Sequence, residues 1–151
     1  MRTATQRGVA AVEFAVIMPV LITLLAFPIF YGRVFMHYAV AQKAAHDAAI
    51  YLSTISLNEM NDANRARAAS DVAEDIVAAE ITELNPGRSG KPDVQVQCDG
   101  GPCGNVRPDE VTVHVRIRMY DDFFSAFTYP IIDEEGVYLK AQFTATYVGS
   151  Y

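Results

Sequence analysis

Residues 9–31 read VAAVEFAVIMPVLITLLAFPIFY, and the reading of the whole chain turns on them. The stretch holds one charge, Glu13, and one other polar side chain, Thr23. No charged residue occurs from 14 to 32. A helix over 14–32 is roughly 28 Å long at about 1.5 Å per residue, close to the ~30 Å hydrocarbon core of a bilayer. A single membrane span over 9–32 is therefore predicted. A cleaved secretory signal is the competing pattern. It has a shorter apolar core, about 7–15 residues, with a small-residue cleavage site behind it. Here the run ends in Phe30-Tyr31-Gly32-Arg33, with no A-x-A pattern, and the helical pattern continues beyond it.

Charge orients the span. The chain of 151 residues carries 12 Lys+Arg against 18 Asp+Glu, a net charge of −6. Residues 1–33 hold Arg2, Arg7 and Arg33 against Glu13, a net +2, which leaves 9 basic and 17 acidic groups, −8, for residues 34–151. The positive-inside rule keeps the basic N-terminus in the cytoplasm and sends the acidic body outside. An acidic balance argues against nucleic acid as a partner, since phosphate binding needs clustered Lys and Arg. Two cysteines are too few for a disulfide-rich scaffold.

Behind the span, Val34, Tyr38, Ala41, Ala45, Ala48 and Leu52 form a helical seam of mostly small residues. No Gly or Pro interrupts 33–52, so the membrane helix is expected to run on into water as one rod over 9–52. Pro19 and Pro28 each remove a backbone donor and should bend it. Residues 53–56 break the pattern, and Ser56-x-x-Glu59 fits a capping box. A second helix is predicted over 57–84. Its apolar face is Ala66, Ala69, Ala73, Val77, Ile81 and Leu84, with Val72 and Ile76 beside it. Its wet face carries Asp71, Glu74, Asp75, Glu80 and Glu83, and Asn85-Pro86-Gly87 stops it. The period then changes to 2 over 94–98, 111–119 and 137–147, which read as strands with one apolar and one polar face. The fold class is α+β: a long N-terminal helix, a second helix, then a small antiparallel sheet of three or four strands. The connection over 121–130 carries Phe123, Phe124, Phe127 and Tyr129, which either fold back on the sheet or form a contact patch.

The N-terminus has a more specific pattern. Arg7-Gly8 precedes Val9-Ala10-Ala11-Val12-Glu13 and the apolar run. A Gly before the cut, with a Glu fifth after it, resembles the processing signature of type IV pilin-like precursors. The wording GVAAVEFAVIMPVLITLLAFPIFYGRVF resembles the TadE/TadF-type pseudopilins of the tight-adherence (Flp) pilus system. QKAAHDAA resembles the Ala-rich continuation in that family, with His46 where an Arg is common. The resemblance covers residues 7–52 by motif. It implies a pilin-like fold, a cytoplasmic leader over 1–8, cleavage between Gly8 and Val9 by a prepilin peptidase, a span over 9–32 in the bacterial inner membrane, and a periplasmic head over 33–151. It also implies other pilins and pseudopilins as partners, and a part in assembling or initiating a pilus for surface adherence.

Glu13 has a physical reading of its own. A carboxylate at a helix centre costs on the order of 2.5–3.5 kcal/mol on insertion scales, and less near an interface. Cleavage after Gly8 leaves an α-amine on Val9, about one helical turn away. In a packed assembly, the amine of one subunit can meet Glu13 of a neighbour and fix the stagger between them, as the resemblance implies. The alternative is a Glu13 that simply sits among lipid headgroups.

Cys98 and Cys103 enclose Asp-Gly-Gly-Pro, a gap able to turn tightly enough to join them. Outside the cytoplasm a disulfide is permitted, and it would staple the mouth of the loop between the first two strands. Two buried thiols are the alternative. No catalytic constellation appears. His37 and His46 are not spaced to share a metal, His114 lies on a polar strand face, and no G-x-S-x-G is present. Asp121-Asp122 and Asp133-Glu134-Glu135 lack EF-hand spacing. CDGGPCG lacks the Lys and helix of a phosphate loop. No enzyme activity, cofactor, metal or small-molecule substrate is expected. Two other readings stay open: an uncleaved single-span scaffold of a secretion machine, and an anchored ligand-binding module, which requires a concave polar pocket in the head.

Overall fold

The computed structural model describes residues 6–84, 91–104, 106–121 and 136–150. The stop signal at 85–87, the aromatic segment at 123–129 and the acidic run at 133–135 lie outside the described residues. Helix α1 spans Gln6–Thr54 and is 49 residues long, with Pro19 and Pro28 inside it. Thr23, the polar residue of the apolar run, turns its need inward: its hydroxyl donates to the Pro19 carbonyl at 2.8 Å.

The helix has two halves with different surroundings. Among residues 8–32 only Ala26 and Phe30 are buried. From residue 37 onward, Ala41, Ala44, Ala45, Ala48, Ala49 and Leu52 enter the head core. The seam differs from expectation at its lower end, where His37 is buried and Tyr38 is 41% exposed. The His37 ring satisfies one nitrogen locally: Nδ1 lies 2.8 Å from the Arg33 carbonyl, which only accepts, so Nδ1 carries the proton. Tyr38 turns outward and its hydroxyl accepts from Gln42 Nε2 at 2.8 Å.

The second helix of the sequence reading is two helices. Helix α2 is one turn, Leu57–Met60, and α3 is Ala63–Glu83. Ser56 starts α2 as expected, its backbone N–H donating to the Glu59 carboxylate at 3.3 Å. Asp62 makes the second start. Its Oδ1 accepts from the backbone N–H of Asn64 and of Arg65, both at 3.0 Å, which holds the chain out of helix for one step. Those bonds, that from Arg65 first, hold the Asp62 carboxyl below its usual range. Helix α3 buries Ala66, Ala69, Ala73, Val77 and Ile81, while Leu84 is half-buried. It runs antiparallel to α1, and Glu80 meets Lys43 at 2.8 Å.

Strands β1 (Asp93–Cys98), β2 (Glu110–Met119) and β3 (Val137–Thr146) form one antiparallel sheet in the order β1-β2-β3. Val113 faces Val96 on one side and Phe143 on the other, and His114 faces Gln95 and Gln142. The odd-numbered residues Val111, Val113, Val115, Ile117 and Met119 are buried, as the alternation requires. The even-numbered residues point away from the helices. Beyond β3 the chain returns to α1. Val148 N–H donates to the Ser53 carbonyl at 2.9 Å, and the buried Tyr147 hydroxyl donates to that of Ile55 at 2.9 Å. Burial pushes the Tyr147 phenol up. Gly149 is required by this closure, because a Cβ there would overlap the Ile55 carbonyl and the Tyr147 hydroxyl.

The small seam sets how closely α1 and α3 approach. Ala45 is fully buried and Ala39 is exposed. Ala45→Leu should lower head stability by about 1–3 kcal/mol through overpacking, while Ala39→Leu changes it little. Unfolding of the full chain in detergent, followed by circular dichroism, checks this difference.

Candidate functional site

The three N-terminal residues singled out by the sequence lie on the first turns of α1. Val9 is 59% exposed, and Gly8 and Glu13 are exposed too. A Cβ built at Gly8 meets nothing within 4 Å, so the fold makes no demand for glycine there. Glycine lowers helix stability by about 1 kcal/mol relative to Ala, which makes the first turn easy to open. Val9 and Glu13 stand at i and i+4, on the same side and about 6 Å apart along the axis. Glu13 has no hydrogen bond or ion pair among the described residues.

Around these residues the stem is bare on every side. Val12, Phe14, Val16, Ile17, Val20 and Leu24 are each 59–67% exposed. Among the described residues no surface of this chain covers them, and α1 is long and apolar enough to cross a membrane once. Apolar surface of that extent calls for lipid or for other apolar stems.

The cysteines lie at the far end of the head. Cys98 and Cys103 are joined, with Cα atoms 4.9 Å apart. Asp99 and Gly100 take positive φ, 50° and 79°, and reverse the chain in two residues. Cys98 N–H then donates to the Gly101 carbonyl at 2.7 Å. The staple therefore closes this small turn rather than the mouth of the whole loop. Asp99 holds the mouth instead: its carboxylate accepts from Asp109 N–H at 3.1 Å and from Glu110 N–H at 2.9 Å. Cys98 Sγ also lies 3.9 Å from the buried Met60 sulfur, so the turn is seated on the core. The disulfide is structural and does not meet the N-terminal residues.

The histidines are separate, as their spacing suggests. His37 is buried in the seam. His46 packs edge-on against Phe143, with centroids 4.5 Å apart, and its Nδ1 lies 2.9 Å from Asp47 Oδ1. That contact first, and Lys43 second, hold the Asp47 carboxyl down at about 2. Among the described residues no three His, Cys, Asp or Glu side chains form a metal-binding group.

One feature escaped the sequence reading. The polar face of the sheet is basic at one end. Arg116 pairs with Asp93 at 3.1 Å, and Arg118 lies over the Tyr138 ring at 4.4 Å and donates to Tyr120 Oη at 3.2 Å. Lys140 sits opposite Arg116 in the register. An open recess of about 300 Å³ runs across this face, lined by Gln95, His114, Arg116 and Lys140, with Tyr38 and Gln42 from α1. The signal was present in the alternation, which puts Arg116, Arg118 and Lys140 on one side.

A long apolar N-terminal helix, further helices and a three-stranded antiparallel sheet packed on its upper half make this an α+β fold of pilin-like type. The stem and seam are TadE-like: the TadE-like protein family matches residues 8–49. No curated protein and no solved structure matches the chain.

Proposed function

We propose that the chain is a membrane-anchored minor pseudopilin of a Tad (Flp-type) pilus, with a structural rather than an enzymatic role. The observation that carries this reading is the stem: an apolar helix exposed over its first turns, TadE-like in sequence, with one acid near its start that has no ion pair among the described residues. The basic N-terminal residues stay in the cytoplasm and the acidic head is periplasmic. A prepilin peptidase hydrolyses the Gly8–Val9 bond. The new carboxylate stays on Gly8, and Val9 gains an ammonium group.

That ammonium lies one turn from Glu13 of its own chain and within reach of Glu13 on a neighbouring stem. In lipid, an acid and an amine that pair across two stems lower each other's cost, and they fix the stagger between subunits. Stems without the pair slide freely, because lipid tails are as apolar as the helix faces. The periplasmic head is then held at a set height beside other pilins and pseudopilins.

Gly8→Leu should block maturation with the fold intact, since the Cβ has open space. Mass spectrometry of membrane-extracted protein should show wild type starting at Val9 and the variant retaining residues 1–8. A wild-type chain that keeps those residues beside an active prepilin peptidase contradicts processing and favours the uncleaved scaffold. Glu13→Ala should leave insertion intact or improved, yet reduce co-purification with pilus components about tenfold or more, the loss expected when one member of a desolvated charge pair is removed. Unchanged co-purification refutes the pairing.

A further inference from the structure

We propose that the basic, polar face of the sheet docks the acidic face of α3 on a second copy of this chain, so that heads line up side by side above parallel stems. The proposal rests on the membrane-anchored reading, which holds neighbouring copies upright and leaves only their lateral faces free to meet.

Two faces of the head carry opposite charge and point away from the core. Toward the stem the sheet presents Arg116, Arg118 and Lys140, with Lys91 just before the first strand, against Asp93, while Glu110 lies on the same face at the opposite end. Helix α3 exposes Asp71, Glu74, Asp75 and Glu83, with no basic residue between Arg67 and Glu83. Asp93 meets Arg116, while Arg118 and Lys140 on the sheet and Asp71, Glu74, Asp75 and Glu83 on α3 have no ion pair among the described residues, so each face supplies what the other lacks.

The dimensions agree. Helix α3 has 21 residues, about 31 Å at the helical rise. Strands β2 and β3 have 10 residues each, about 34 Å at the strand rise. Three strands at about 4.8 Å spacing span one helix width of about 10 Å.

The heights agree as well. The Lys43–Glu80 pair fixes the lower part of α3 at the level of residue 43 of the stem. The recess brings Arg116 and Lys140 beside Tyr38 and Gln42 of the same stem. Two copies standing in one membrane without vertical offset therefore bring Glu83 of one to the level of Arg116 and Lys140 of the other. The contact joins unlike faces, so each head keeps one face free and the row can grow.

Both native cysteines are in the disulfide, so introduced thiols react alone. Full-length chains bearing Gln142→Cys on the sheet face and chains bearing Ala79→Cys on α3 are reconstituted together in vesicles and oxidised. Cross-links between 142 and 79 should exceed 142–142 and 79–79 links several-fold. Arg116→Glu with Lys140→Glu on the sheet-face copy should cut the 142–79 yield about tenfold, and Asp75→Lys with Glu83→Lys on its partner, which flank position 79 on the helix, should restore it. The wild-type link should weaken at 1 M salt, where the screening length falls to about 3 Å. A yield indifferent to charge reversal, a predominance of like-with-like links, or capture of the sheet face by a different subunit in place of the 142–79 link overturns the proposal. The N-terminus is read on the same samples. Chains that start at Val9 yet give no 142–79 link refute this docking and leave the pseudopilin reading standing, whereas unprocessed chains that do link refute processing alone.

Discussion

Apolar surface that the chain does not cover for itself governs this molecule. From Val9 to Leu25 the stem presents large aliphatic side chains and Phe14 on all sides, and among the described residues the head core takes up the helix from Ala41 onward. At about 25 cal/mol per Å², exposing those side chains to water costs more than a small domain's net stability. The stem must be covered, and the bilayer is the cover its length fits. The proposals for the head's position, for Glu13 and for lateral contacts between neighbours all rest on that requirement.

The head solves a different problem on the same helix. Both helices bring alanine into the core: Ala41, Ala45 and Ala48 on α1, and Ala66, Ala69 and Ala73 on α3. Small side chains let two helices approach closely, and the sheet closes the remaining side with Val111, Val113, Val115 and Ile117. Charge stays outside: Lys43 joins Asp47 and Glu80 across the two helices at 2.9 and 2.8 Å. The polar backbone left where α1 ends is taken up by the returning chain after β3, so the head is closed at the end farthest from the stem's start.

Much of this was legible in the sequence because it is periodic. The stem, the alanine seam, the acid face of α3 and the three strands are repeats of 3.6 or 2, and the structure keeps them. The departures come from single polar side chains with two options. Asp62 looked like one more residue of a long helix, yet its carboxylate caps a new one. His37 and Tyr38 are adjacent on the seam, and the ring with a carbonyl one turn away went inside. Asp99 read as turn filler but holds the mouth of the loop. Each choice depends on a partner that one-dimensional spacing does not show. Gly8, Val9 and Glu13 stand out in the sequence by their spacing alone, and the structure leaves them exposed, while the basic sheet face needed the pairing register to become visible.

Lipid exposure of the stem is the claim to measure. Single cysteines at Leu24 and at Ala39 of the full chain, in sealed vesicles, are offered a water-soluble maleimide. The account predicts that Leu24→Cys stays unlabelled until detergent is added, while Ala39→Cys reacts from one side of the membrane. Equal, rapid labelling at both positions before detergent would contradict it.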